Sequence, residues 1–246
     1  KYDNEAFQYS VGVNGVGTKA VNALSSYFEI TSWREGEYMN AVFERGELVH
    51  KEKGKGEEPN GTFVSFIPDD DPAIFGKYTY NEDYIKERLW NYAYLNKGLI
   101  ISFNGKTIKS AGGLMDLVKK ILGDDGLYPL INYKSRNLEF SFTHTNGYGE
   151  SYHSYVNGQY TSDGGTHEAA FKEGVLKGIN EYFHKSWAAP EIRDGIVATV
   201  AIKVMNPVFE SQTKNKLGNT DVRAWIVPEV KAAVIDVLMK NKEIAK

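Results

Sequence analysis

Gly195-Ile196-Val197-Ala198-Thr199-Val200-Ala201-Ile202-Lys203-Val204 is apolar at both alternating sets of positions. A run of that length with apolar side chains on both faces reads as the central strand of a sheet. Upstream, Leu138, Phe140 and Phe142 point one way and Glu139, Ser141 and Thr143 the other, the pattern of a half-buried strand. Asn146-Gly147 turns that strand, and Tyr152 to Val156 returns. Between these strands and the central one, Thr166 is placed to cap a helix whose Ala170, Val175, Ile179 and Phe183 form an apolar stripe. Downstream, Pro228 to Lys240 reads as an amphipathic helix through Val230, Val234, Val237 and Leu238.

The first half alternates in the same way. A helix is predicted over 15–27 from the spacing of Val16, Ala20, Val21 and Leu24. Strands at Phe28–Trp33 and Tyr38–Phe43 flank the turn Arg34-Glu35-Gly36-Glu37. Lys51 to Pro59 is charged and glycine-rich, the composition of a loop between strands. Thr62 to Ile67 is a strand ended by Pro68 and an aspartate run, Asp69-Asp70-Asp71, that reads as solvated. A helix through Tyr94, a strand from Leu99 to Phe103 with the hairpin turn Asn104-Gly105, and a short helix from Gly113 to Leu122 follow. The fold class is α+β in two units divided near residue 125.

The chain has 246 residues and a net charge of −3, which excludes a protein that coats nucleic acid over its whole surface but permits a local basic face. There is no cysteine, so disulfides and thiolate metal sites are excluded. The five histidines show no metal-ligand spacing. No apolar run approaches the roughly 18 residues of a membrane span, and no signal peptide is visible. These features fit a cytoplasmic protein without a membrane partner.

Two stretches carry candidate chemistry. Gly12-Val13-Asn14-Gly15-Val16-Gly17 runs into a helix, a shape in which backbone N–H groups and the helix dipole hold phosphate. It reads equally as a tight connection that binds nothing. It is neither a Walker A loop, since no Gly-Lys-Ser/Thr follows, nor a dinucleotide fingerprint. Phe209-Glu210-Ser211-Gln212-Thr213-Lys214-Asn215-Lys216-Leu217 is a polar loop after a strand ending near Val208-Phe209. It can carry Lys214 to a phosphate, or Lys214 is simply solvated. Gly164-Gly165-Thr166-His167 reads as a glycine turn and helix cap, without a partner that would make His167 a base.

Taken together, the glycine loop with its continuation Thr18-Lys19-Ala20-Val21-Asn22-Ala23-Leu24-Ser25, Tyr155-Val156-Asn157, Gly164-Gly165-Thr166-His167 and Ser211-Gln212-Thr213-Lys214-Asn215-Lys216-Leu217 resemble the ATPase subunits of bacterial type IIA DNA topoisomerases. That group comprises gyrase B and its counterpart in topoisomerase IV. The resemblance implies the C-terminal part of a Bergerat-type ATPase α/β sandwich over residues 1–125. An α+β transducer with a βαβ crossover is implied over 126–246. It implies that Gly12, Val13, Asn14, Gly15, Val16 and Gly17 close over the ATP triphosphate and that Thr62 lines the adenine pocket. Lys214, with Gln212 nearby, would reach the γ-phosphate.

The implied cofactors are ATP and Mg²⁺. The implied partners are double-stranded DNA, the family's separate DNA-cleaving subunit, and another copy of the ATPase chain itself. The family's water-activating glutamate, Mg²⁺-binding asparagine and adenine-reading aspartate are expected upstream of Lys1. Bacterial members usually carry histidine where this chain has Asn14, which leans the reading toward topoisomerase IV. From Lys203 onward eight lysines and arginines face five acids, an excess suited to a DNA-facing cavity or to a solvated surface. Other Bergerat-type ATPases (MutL-like or heat-shock proteins) share the glycine loop and a similar second domain, but the Ser211–Leu217 pattern is not expected of them. The other alternative is a non-catalytic scaffold that keeps the fold only.

Overall fold

The computed structural model describes Tyr9, Gly12 and residues 15–245. Val13 and Asn14 of the glycine loop lie outside the described residues. The chain forms two compact units, one of Gly12–Asn81 and a larger one containing Glu82–Lys246. The expected division after residue 125 falls inside the larger unit.

The smaller unit contains α1 (Val16–Ala23), β1 (Ser25–Arg34), β2 (Glu37–Glu44), β3 (Glu47–Lys55) and β4 (Gly61–Pro68). Its sheet is antiparallel in the order β3-β2-β1-β4. The helix predicted to reach residue 27 ends at Ala23. Ser25 is already paired with Pro68, and its hydroxyl donates to the Val21 carbonyl at 2.6 Å, closing the helix. Of the loop predicted over Lys51–Pro59, residues 56–59 are the loop and residues 51–55 are instead the second half of β3, with Lys51 opposite Ala41 and Lys53 opposite Met39. Its charges are those of a solvent-facing edge strand, where they discourage pairing with another chain. Asp69 is buried rather than solvated. Its carboxylate accepts from Arg45 Nε at 2.5 Å and from the Asp71 N–H at 3.1 Å. The guanidinium holds this carboxyl below its ordinary range.

The larger unit contains α2 (Glu82–Leu95), β5 (Ile101–Phe103), β6 (Lys106–Ile108), α3 (Leu114–Leu122), β7 (Ile131–Lys134), β8 (Leu138–His144), β9 (Ser151–Val156), β10 (Gln159–Tyr160), α4 (Thr166–Phe183), α5 (Ala189–Arg193), β11 (Ile196–Ile202) and α6 (Val222–Lys240). Asn104-Gly105 turns the β5–β6 hairpin with positive φ at both residues, the geometry that matches strand twist.

The main sheet runs β10-β9-β11-β8-β7. As its composition predicts, β11 is central: it pairs parallel with β9 and antiparallel with β8. The parallel β9–β11 pair is joined through α4 and α5, a βαβ crossover. The hairpin expected from β8 to β9 is therefore opened, with β11 in the gap. Gly195 makes the insertion possible. Its φ is +77, and a Cβ there would lie 2.4 Å from the Thr145 carbonyl oxygen. Its N–H donates to the Gly149 carbonyl at 2.7 Å.

The sheet is covered on both faces. On one, Leu138, Phe140, Phe142, Val200 and Ile202 pack with Phe171 of α4 and with Ile226, Val230 and Val234 of α6. On the other, Tyr94, Leu114 and Leu117 of α2 and α3 pack with Tyr155, and Ala201 lies against them. β8 is consequently buried on both faces, not half-buried. Thr143 meets this by donating its hydroxyl to the Tyr128 carbonyl at 2.9 Å. The helix α6 starts at Val222, earlier than predicted, and takes Pro228 into its interior. Among the described residues no helix is long and apolar enough to cross a membrane.

Candidate functional site

The polar loop after β11 is closed at its neck. Gly218 N–H donates to the Val208 carbonyl at 2.8 Å, and Glu210 N–H to the Lys216 carbonyl at 3.0 Å. An ion pair between Lys216 and Glu210, 3.1 Å long, lies beside them. The predicted strand at Val208-Phe209 is reduced to a single bridge between Phe209 and Leu217. Pro207 just before it lacks the N–H a longer ladder would need.

At the tip, the Ser211 and Thr213 hydroxyls share a hydrogen bond of 2.6 Å. Lys214 N–H donates to the Ser211 carbonyl at 3.1 Å. Lys214 sits at φ +58, so the backbone reverses at this residue and the side chain leaves from the head of the turn. Gln212 beside it is exposed.

The loop is also tied to the glycine pair at the start of α4. Leu217 N–H donates to the Gly164 carbonyl at 3.2 Å, Thr166 N–H to the Leu217 carbonyl at 3.0 Å, and Asp163 N–H to the Asn215 carbonyl at 3.0 Å. Leu217 itself is fully buried in the main core. The residue expected to cap α4 does not do so. Gly165 occupies the cap position, Thr166 is the first helical residue, and its hydroxyl has no hydrogen-bond partner. The Leu217 carbonyl instead takes an N–H that a helix start otherwise leaves open.

Beneath the glycines lies a buried polar network. The Thr161 hydroxyl donates to the Ser154 carbonyl at 2.8 Å and lies 3.2 Å from His167 Nε2. The Ser154 hydroxyl donates to Glu168 at 2.9 Å, and Glu168 pairs with Lys172 at 2.9 Å. Burial pushes the His167 imidazole down to about 3, so it is neutral near pH 7 and structural. Sequence reasoning identified the loop and the glycine pair separately. Their joint was missed, because a backbone-to-backbone pairing leaves no side-chain pattern to find.

In the smaller unit, Gly15 is the cap residue of α1, with φ +63. Lys19 N–H returns to its carbonyl at 3.2 Å. The first turn of α1 holds no acidic side chain. Space around Gly12 and Gly17 is open, so a Cβ at either would meet nothing within 4 Å. The start of α1 thus presents N–H groups that have no partner within the helix, and a positive dipole end with no carboxylate in its own first turn. Thr62 stands on β4 opposite Ser32 and is exposed. Among the described residues no three His, Asp or Glu side chains gather as metal ligands would.

Residues 82–246 match the family model described as DNA gyrase B. Over its whole length the chain is 49% identical to the B-subunit of DNA topoisomerase 4 from Borreliella burgdorferi, covering 41% of that protein. It is 34% identical to the B-subunit of DNA gyrase from Thermotoga maritima, covering 43% of it. The chain therefore spans less than half the length of these curated relatives. Among solved structures it is similar to the 43K ATPase domain of Thermus thermophilus gyrase B, crystallised with an aminocoumarin. The TM-score is 0.77 at 31% identity, over 94% of this chain and 69% of that one. The ATPase region of Saccharomyces cerevisiae topoisomerase II shares the fold, with a TM-score of 0.74 at 22% identity.

Proposed function

The chain belongs to the DNA gyrase B family, and from that premise we propose that it is part of the ATP-binding subunit of a bacterial type IIA DNA topoisomerase. In this reading ATP binding and hydrolysis drive closure of a dimer and passage of one DNA duplex through another. A separate DNA-cleaving subunit is its partner, and the setting is cytoplasmic. Residues 1–125 contribute to nucleotide binding and 126–246 act as the transducer.

The observation that carries the reading is the Lys214 loop: a lysine at the head of a turn whose neck is hydrogen-bonded shut and seated in a core through Leu217. A lysine held this way is a point charge that can be brought to a phosphoryl group. The N–H groups of the Gly12–Gly17 loop hold phosphate oxygens at the start of α1, Thr62 borders the base, and Gln212 assists Lys214. The open space at Gly12 and Gly17 and the acid-free first turn of α1 fit such a ligand. Bound ATP with Mg²⁺ supplies the phosphoanhydride to be cleaved. No described residue is proposed to hold the metal.

Lys214→Ala in the full-length protein tests this. Turnover is expected to fall about 10²-fold, the usual effect of removing one charge-stabilising donor, while ADP affinity is unchanged. Discrimination between a non-hydrolysable ATP analogue and ADP is expected to shrink, since only the former offers a γ-phosphate. A variant with parental turnover and undiminished discrimination would show that Lys214 is an ordinary surface lysine.

A further inference from the structure

We propose that Gly165, braced by Glu168, is a positioning residue for Lys214: the glycine pair sets the register in which the Phe209–Leu217 loop leaves the sheet. The proposal rests on the reading of Lys214 given above.

The fit at Gly165 leaves no room for a side chain. A Cβ built there would lie 2.5 Å from both the nitrogen and the carbonyl oxygen of Leu217, well inside contact distance. Its φ of +133 is likewise open only to glycine without strain. Leu217 pairs on one side with Gly165 and on the other with Phe209, so its backbone is held between two fixed neighbours. A displacement of Leu217 would break the Thr166 and Gly164 bonds together and carry Asn215 away from Asp163. Lys214 adjoins Asn215 in the chain and would move with it.

The glycine turn is itself fixed from below. The Glu168 carboxylate stands 2.9 Å from where a Cβ of Gly164 would be. It is held by Ser154 on β9 and by Lys172 one helical turn on. Thr161 N–H donates to the Ser154 carbonyl at 2.9 Å, and Gly164 N–H to the Thr161 carbonyl at 3.0 Å. The turn thus has partners on β9 and α4 before it meets the loop. Displacing a reacting group by about 1 Å can cost about 10²-fold in rate, and this chain of contacts governs that order of displacement at Lys214.

The test compares Gly165→Ala, Lys214→Ala and the double variant in the full-length protein, with turnover and ADP affinity read separately. Gly165→Ala is expected to lower turnover by about tenfold or more, leave ADP affinity unchanged and add almost nothing in the Lys214→Ala background. Such non-additivity is the mark of two residues acting through one contact. If Gly165→Ala does not fold, Glu168→Gln, which keeps the shape and removes the charge, takes its place with the same expected pattern.

Parental turnover in the positional variant beside an impaired Lys214→Ala would overturn the proposal alone. So would a loss that adds in full to that of Lys214→Ala. A silent Lys214→Ala would overturn the sensor reading, and this proposal with it.

Discussion

In the five-stranded sheet of the larger unit, Phe140, Phe142, Ser141 and Thr143 of β8 are all buried. In the four-stranded sheet of the smaller unit, Phe63, Val64, Phe66 and Ile67 of β4 are all exposed. Both stretches are sequences that favour strands. The difference lies in what covers them within each unit: helices on both faces in one case, a single eight-residue helix in the other. Stability is therefore unevenly distributed. The unit with the closed core holds the loop of Lys214, the residue proposed to meet phosphate. The unit with few buried side chains holds the glycine loop proposed to bind phosphate, and ligand-binding loops in general tend to sit at the low-stability end of a structure.

The largest expected effect tests this contrast directly. Phe171 is fully buried against Phe140 and Phe142, and Phe171→Ala should destabilise the larger unit by about 3–5 kcal/mol. Phe66→Ala on the exposed β4 should change stability by no more than about 0.5 kcal/mol. Urea unfolding followed by tryptophan fluorescence in a Trp33→Phe background, which leaves only the larger unit's tryptophans, and in a background with Trp90, Trp187 and Trp225 replaced by Phe, which leaves only Trp33, reads the two units separately. Equal losses would remove the contrast.

Next in size is Gly174→Ala on α4. A Cβ there would lie 2.6 Å from the Val230 Cβ of α6, so the helices must separate, at about 1–3 kcal/mol. An unchanged urea midpoint would mean that the α4–α6 contact yields more easily than its geometry indicates.

The third prediction concerns pH. Burial depresses the folded-state pKa of His167 to about 3, below an ordinary value of 6.5. Between those values the unfolded chain binds a proton that the folded chain excludes, so stability falls as pH falls through that window. The slope approaches about 1.4 kcal/mol per pH unit for this group. His144 and His153 are lowered by burial as well, so His167→Leu should flatten the slope without abolishing it. An identical slope in the variant would count against a buried neutral imidazole.

The smallest effect is a cleavage pattern. Limited proteolysis should cut first at Gly56–Asn60 or between Gly123 and Tyr128, the latter marking the proposed start of the transducer. Early cutting within Ile196–Ile202 would reverse the assignment of that strand to the protected core.

The sequence made β11 legible because a strand apolar on both faces has few other places to go. It misled at β8, where Ser141 and Thr143 look solvent-facing yet are small enough to be buried, Thr143 through a bond to the backbone. It misled at β3, whose lysines and glutamates resemble a loop when the neighbouring strand is not considered. At the candidate site, type and order of residues were enough to propose Lys214 and the glycine loop. Asn215, Leu217 and Gly165 were legible only as parts of motifs, because their work is done by main-chain atoms brought together from distant positions.

The placement of β11 between β8 and β9 has a consequence for synthesis. A growing chain delivers β8 and β9 first, joined by Asn146-Gly147, a turn that favours direct pairing of its flanks. The middle strand follows only after α4 and α5 have been made. Until Ile202 is available, β8 and β9 each carry a row of unpaired amides that invite premature closure or capture by another chain. Gly195, threaded against Thr145 and Gly149, marks where the late strand must enter. Slow supply of residues 196–202, or truncation before them, should therefore damage the yield of folded protein more than a comparable interruption after α6 has begun.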